Sequence, residues 1–451
     1  MSSLPYHTMK KHIFNLNNAS MVRMLKPEAD YIRNTAIEHN KYFENSIPLI
    51  ASENIISPLV QEIMISDLHG RYAEGTPGER YYQGNQYVDQ IENKAIDLAK
   101  QLFKCEYADV RPISGTVANL AVLFALTKPG DTITTCNVAD GAHISTAVFG
   151  AVGVRGVNPV PYPFDVENMN LDLDGTRKTI LETKPKLSLF GRSVFLFPPP
   201  LKELQDVFQE VDCPIWYDAA HVLGLIGGGR FQDPLREGVH VITASTHKTF
   251  PGPQHGIIMA NPKEDKMRSK LKYGVFPGVL SNHHLHTMAG LAIALTEHIE
   301  FGAQYADQII RNAKALGQAL YERGFGVLCP HLGFTESHTL AIDVSKLGGG
   351  APAVEAMEAA NMVANKNLLP WDDVDIALNP SGIRVGTQEV TRLGMKEKEM
   401  EQIAEFMKRL IVDKESPDKV RPDVVEFKKD FQKVLFCFHE GKNPYEYHKL
   451  V

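Results

Sequence analysis

The sequence predicts an α/β protein: a large domain on a mostly parallel sheet between helices, then a smaller α+β domain. Three observations carry this. Between about residues 105 and 330, short β-rich runs alternate with helical stretches, which implies parallel strands covered on both faces. A long helical pattern over 287–325 closes that region. Beyond it come a strand-like LAIDV at 340–344, another helix and GIRV at 382–385, the texture of a separate α+β unit.

Taken in order, residues 1–20 read as a loose arm, polar and rich in Asn. Residues 21–45 have helical spacing, with Met21, Met24, Leu25, Ala29, Ile32 and Ala36 on one stripe. Strand-like VRPI at 110–113 precedes a helix over 117–127. TITT at 132–135, LSLF at 187–190, IWY at 215–217, VITA at 241–244 and IIMA at 257–260 read as buried strands, with a helix over 201–210 among them. The tail from 415 is charged and ends in the aromatic stretch VLFCF at 434–438. The expected division is 1–47 as N-terminal arm and helix, 48–305 as the large domain and 306–451 as the small one.

Composition narrows the function. The chain has 43% hydrophobic and 22% charged residues and a formal charge of −7, a globular balance. A mild acidic excess argues against a dedicated nucleic-acid binder. No run of 18 apolar residues exists, so no membrane span is expected. Five cysteines without a CxxC pair read as reduced thiols in a cytoplasmic protein. The first residues lack the apolar core of a secretory signal.

The chemistry starts at Thr246-His247-Lys248-Thr249, just past a strand. In such sheets the strand carboxyl ends face the ligand. Upstream, a second strand ends in Asp218-Ala219-Ala220-His221. A carboxylate at the end of a buried strand is costly unless it meets a cation. A strand-end lysine and a strand-end aspartate together fit pyridoxal phosphate, which needs a Schiff-base lysine and a carboxylate beside its ring nitrogen. The phosphate needs a cradle, and Ser114-Gly115-Thr116 opens a helix whose N-terminus supplies free amides. A dinucleotide fold is the rival. The glycine run at 224–229 is not GxGxxG, and no acidic ribose partner follows at the expected distance.

From about residue 48 to 410 the sequence resembles the serine hydroxymethyltransferase family. The shared phrases are LIASEN at 49–54, YAEGTPGERYY at 72–82, YDAAHVLGL at 217–225, STHKT at 245–249, NKN at 365–367 and SGIRVGT at 381–387. The resemblance implies a fold-type I pyridoxal-phosphate enzyme with a seven-stranded, mostly parallel sheet. It makes Lys248 the cofactor lysine, Asp218 the partner of the ring nitrogen and His143 the imidazole on the ring face. Ser193 and His221 fall near the phenolic oxygen. Ser114, Gly115, Thr116 and His247 fall on the phosphate side, with Asn282 among the cofactor contacts. Arg384 and Ser52 hold the substrate carboxylate, and Glu74 is the acid/base near the substrate hydroxyl. Thr246 is grouped with the catalytic residues. Tyr72 and Tyr82 reach across from a second subunit, which makes a homodimer with shared sites, with pairing into tetramers left open. Tyr81 and Asn367 fall at a folate site. No metal is expected.

The implied reaction interconverts serine, or a 2-substituted serine, with glycine or its analogue by retro-aldol Cα–Cβ cleavage through a quinonoid. Tetrahydrofolate carries the one-carbon unit. The alternative is a folate-independent threonine-type aldolase or transaldolase; a third reading is a non-catalytic interaction subunit. The chain departs from the family pattern in four places. After the lysine it reads KTFPGPQHG over 248–256, so an arginine is lost and His255 appears. The loop at 276–284 reads FPGVLSNHH, with Asn282 where a glycine is usual. Residues 193–197 read SVFLF and 140–143 read DGAH. The first two changes imply rearranged phosphate contacts, and the last lies near the implied folate mouth. For His255, His283, His284 and His286, phosphate or inter-subunit hydrogen bonding is expected in preference to a metal.

Overall fold

A computed structural model of the protein describes residues 18–262 and 264–451. The expected loose arm therefore lies outside the described residues, except that its last three already belong to helix α1 (Asn18–Glu44). Seven strands form the large sheet: β1 (Tyr107–Asp109), β2 (Thr132–Thr135), β3 (Asn158–Pro161), β4 (Leu187–Phe190), β5 (Ile215–Asp218), β6 (Val241–Ser245) and β7 (Gly256–Ala260). Their order is β1-β7-β6-β5-β4-β2-β3.

The sheet is covered on both faces, and its side chains alternate accordingly. Ile215, Tyr217 and Ile242 pack into one apolar cluster. Trp216, Val241 and Ile258 pack into the cluster on the other face. All ladders are parallel except those made by β7, which runs antiparallel to β6 and β1. The connection Thr246–His255 holds no helix, and a parallel return needs a crossover of about a dozen residues or more. VRPI at 110–113 is not a strand. The strand ends earlier, at Asp109, and 110–113 is the loop delivering Ser114 to helix α2 (Gly115–Leu126).

Helix α3 (Leu285–Glu322) runs unbroken through the expected boundary at 305/306. Its residues up to Ile309 belong to the large cluster, whereas Leu316, Ala319 and Leu320 belong to a second one. That second cluster lies under a four-stranded sheet of β8 (Gly326–Val327), β9 (Thr339–Asp343), β10 (Asn365–Asn367) and β11 (Gly382–Gly386), in the order β8-β9-β11-β10. Ile47 and Leu49 also pack there.

After β11 come helices α4 (Gln388–Arg392), α5 (Glu397–Ile411) and α6 (Pro417–Lys428). The tail then doubles back as a strap. Arg392 donates to the Phe436 carbonyl at 2.7 Å. Tyr445 donates to buried Glu389 at 3.2 Å. Asn40 on α1 donates to the Tyr445 carbonyl at 2.9 Å.

Candidate active site

A cavity of about 390 Å³ opens at the carboxyl ends of β4, β5 and β6. Lys248 follows β6 and is buried. Burial lowers its amine to about 8 against the opposing pull of Asp218, so a neutral, nucleophilic amine is accessible near neutral pH. Asp218, the last residue of β5, is held at both oxygens. The Ala220 amide donates to Oδ1 at 3.0 Å and Asn119 Nδ2 to Oδ2 at 2.8 Å. Gly191 packs against this residue at φ +146°, and a Cβ there would stand 2.5 Å from the Asp218 carbonyl oxygen. Only glycine fits so close an approach.

The expected anion cradle lies at the start of α2. Ser114 caps it, its hydroxyl accepting the Val117 amide at 3.2 Å. Gly115 and Thr116 follow on the cavity wall. A Cβ on Gly115 would sit 2.3 Å from Ser245 Oγ, so the missing side chain lets the helix N-terminus meet the end of β6. His247 borders the same space. Burial, then Lys248, lowers its imidazole to about 4, and its buried Nδ1 has no partner.

Ser52, His143, Ser193 and His221 complete the wall. The Ser145 amide donates to Nδ1 of His143 at 3.1 Å, so that nitrogen is bare. Arg384 on β11 adjoins the cavity through His143 and Ser193, which also line the hollow that Arg384 and Asn367 share. Its Nε donates to Asn365 Oδ1 at 3.1 Å and Nη1 to the Ser193 carbonyl at 3.0 Å. The guanidinium is buried and pushed down to about 10 by that burial. It forms no ion pair with any described residue. A buried arginine with neutral neighbours is a binding site for an anion.

The other expected residues stand apart from this cavity. Tyr72, Tyr81 and Tyr82 are exposed at 45%, 73% and 47%. Tyr72 and Glu74 both bond Ser281, and Asn282 Oδ1 accepts the Ala73 amide at 2.8 Å. These residues form one outward-facing surface patch. Thr246 is fully buried, its hydroxyl donating to the Pro253 carbonyl at 2.7 Å.

One expectation about a histidine is corrected. His255 does not reach the cradle: it is buried between the Val110 carbonyl at 2.7 Å and Thr287 Oγ1 at 2.9 Å. His283 pairs with buried Glu92 at 3.1 Å. His255 is satisfied at both nitrogens, because an apolar core admits a polar ring only with such partners, whereas Nε2 of buried His283 has no hydrogen-bond partner among the described residues. Sequence reasoning missed Asn119, Gly191, Arg192, Glu53 and Gln254, which all line the cavity. Asn119 had a signal: it lies four residues after Gly115 on one helix, hence on the same face.

The serine hydroxymethyltransferase family profile matches residues 27–407. The serine hydroxymethyltransferase of Thermoplasma acidophilum is 53% identical over 94% of this chain and 99% of that protein. That of Methanocaldococcus jannaschii is 56% identical over 91% of this chain and 96% of its own. Among solved structures, an L-threonine transaldolase from Pseudomonas fluorescens superposes with a TM-score of 0.84 at 28% identity, over 93% of this chain and 96% of that one.

Proposed function

Because the chain belongs to the serine hydroxymethyltransferase family, we propose that it is a pyridoxal-phosphate-dependent transferase that moves a hydroxymethyl unit between serine and glycine, with tetrahydrofolate as the carrier. The observation that carries this reading is the set of complementary groups around one space: a depressed lysine, a doubly held aspartate, a helix N-terminus and an arginine without a counter-ion.

The residues present fit the cofactor. The cradle at 114–116 offers amides and hydroxyls to a phosphate, and the unpartnered Nδ1 of His247 borders it. Bound at Lys248 and Asp218, pyridoxal phosphate supplies an electron-accepting ring that makes bonds at the substrate Cα labile. The chain supplies the rest. Arg384 grips the substrate carboxylate and thereby sets which Cα bond faces the ring. Complete positioning of reacting groups supplies up to about 7–11 kcal/mol, of which this grip is one part. His143 covers the ring face, and its bare Nδ1 leaves the single hydrogen of its neutral form on Nε2. Glu74 moves the proton at the substrate hydroxyl, and Asn367 and Tyr81 contact the folate.

In a single chain Tyr72 and Tyr82 are exposed and half-buried Glu74 lies outside the cavity beside Ser281, which supports a homodimer in which each subunit completes the other's site. Lys248→Ala protein mixed with Tyr72→Phe/Tyr82→Phe protein is expected to regain part of the activity that each lacks. No recovery after proven subunit exchange would overturn the shared site. A division into a large and a small domain belongs to the same reading and is supported by the two apolar clusters, although Leu49 packs in the small one and Ala306 and Ile309 in the large one. No helix among the described residues is long and apolar enough to cross a membrane. Five buried free thiols support cytoplasmic residence.

The transaldolase neighbour keeps a second reading in play, and one experiment separates the two. Purified protein is assayed on L-serine and L-threonine with and without tetrahydrofolate, then reduced with borohydride and mapped. The expected result is serine cleavage accelerated by tetrahydrofolate and a pyridoxyl group on Lys248. Threonine cleavage with no effect of tetrahydrofolate on serine would favour the aldolase reading. A pyridoxyl group on another lysine would sink the cofactor assignment.

A further inference from the structure

Behind His221 lies a second imidazole that the reaction described above does not use. His338 stands just before β9 and is wholly buried. Its ring stacks on that of His221, with centroids 5.5 Å apart and planes 23° apart. Its Nε2 lies 3.1 Å from the Ala51 carbonyl oxygen and 3.4 Å from Nδ1 of His221. Thr339 Oγ1 sits 3.0 Å from Nε2 and 3.2 Å from Nδ1 of the same ring.

These contacts fix where the hydrogens are. A carbonyl oxygen only accepts, so Nε2 of His338 carries a hydrogen. Both rings are neutral. Burial, reinforced by Arg384 and Lys248, pushes His338 down to about 3. Burial, reinforced by Lys248 and Arg384, likewise pushes His221 well below its usual range. A neutral imidazole holds one N–H, so Nδ1 of His338 is left to accept from the Thr339 hydroxyl. Nδ1 of His221 faces the N–H of His338 and must be bare. The hydrogen of His221 is therefore on Nε2, which has no partner among the described residues and belongs to a ring lining the cavity. With the opposite tautomer the ring would turn a lone pair toward the cavity and repel an anionic oxygen.

We propose that His338 is a positioning residue: through the Ala51 carbonyl and Nδ1 of His221, it fixes His221 as an N–H donor to an anionic oxygen of the bound cofactor. The proposal rests on the pyridoxal-phosphate reading above. It also couples that donor to the turn carrying Ser52, since Ala51 is its chain neighbour.

The test uses the holoenzyme with His338→Gln, His338→Asn and His338→Leu. A glutamine amide reaches the position of Nε2, and an asparagine amide stops at that of Nδ1. The glutamine variant is expected to keep the wild-type visible band and cofactor affinity. Asparagine and leucine are expected to shift the band and weaken cofactor binding by about 10-fold, one hydrogen bond to a charged acceptor. An unshifted band and unchanged affinity in both would overturn the proposal, as would a glutamine variant as impaired as leucine. Nitrogen-15 NMR of histidine-labelled wild-type holoenzyme tests it without any variant: the expected result is a bare Nδ1 on His221, and a hydrogen there overturns it. A wild type that shows no visible band at all would overturn the cofactor reading, and this inference with it.

Discussion

Arg384→Ala should lower kcat/KM for the amino acid by about 30- to 5,000-fold while the cofactor stays bound. The magnitude follows from losing one partner of a buried charge pair, about 2–5 kcal/mol. On the proposed reading the pair in question forms only with substrate, because among the described residues Arg384 meets just the Asn365 amide oxygen and the Ser193 carbonyl. Those two neutral acceptors aim the guanidinium without neutralising it. Arg384→Lys keeps the charge but loses the planar fork, so it should recover only part of the loss. Steady-state kinetics with serine, beside the visible spectrum of each variant, checks both. A variant that loses its visible band along with its activity would show that Arg384 serves the cofactor, contrary to the assignment.

Asp218→Asn is expected to be comparably severe and to act on a different step. A carboxylate about 4 Å from a cationic ring at an effective dielectric of about 20 is worth about 4 kcal/mol, or about a thousandfold in rate. Asparagine preserves shape and still accepts from the Ala220 amide. At Oδ2, however, its amide would meet the N–H of Asn119 donor to donor unless it turned over. The expected signature is a large fall in kcat with little change in KM, read in the same assay. An unchanged kcat would remove Asp218 from the chemistry.

The part of the site made by strand ends was legible in the sequence. Lys248 and Asp218 each follow a short apolar run, and the end of a run is visible without a structure. The direction of β7 was less legible, because its composition matches that of its parallel neighbours. What distinguishes it is the helix-free stretch Thr246–His255, a feature of spacing. Asn119 and His338 escaped for a different reason. Their partners Asp218 and His221 lie 99 and 117 residues away in sequence. Contacts across such separations leave no periodic trace. The departures from the family pattern were visible, but not their outcome. His255 read as a new group for the phosphate, yet the polar partners Val110 and Thr287 draw it into the core. Nor does the charged tail announce that it returns to α1: its contacts with that helix are hydrogen bonds, while its apolar residues Val434 and Cys437 pack elsewhere, against Ile55 and Leu393.

Helix α3 has one more consequence, for how this chain can vary in length. It is a single rod of 38 residues that carries the core beneath Lys248 at one end and the core beneath Arg384 at the other. One residue inserted between Ile309 and Leu316 would turn one end against the other by about 100° and lengthen the rod by about 1.5 Å. The carboxylate grip would then swing away from the lysine, although neither residue had been touched. Insertions and deletions among relatives should therefore collect in the surface loops and spare this stretch, and any attempt to splice halves from two relatives should place its junction outside the helix.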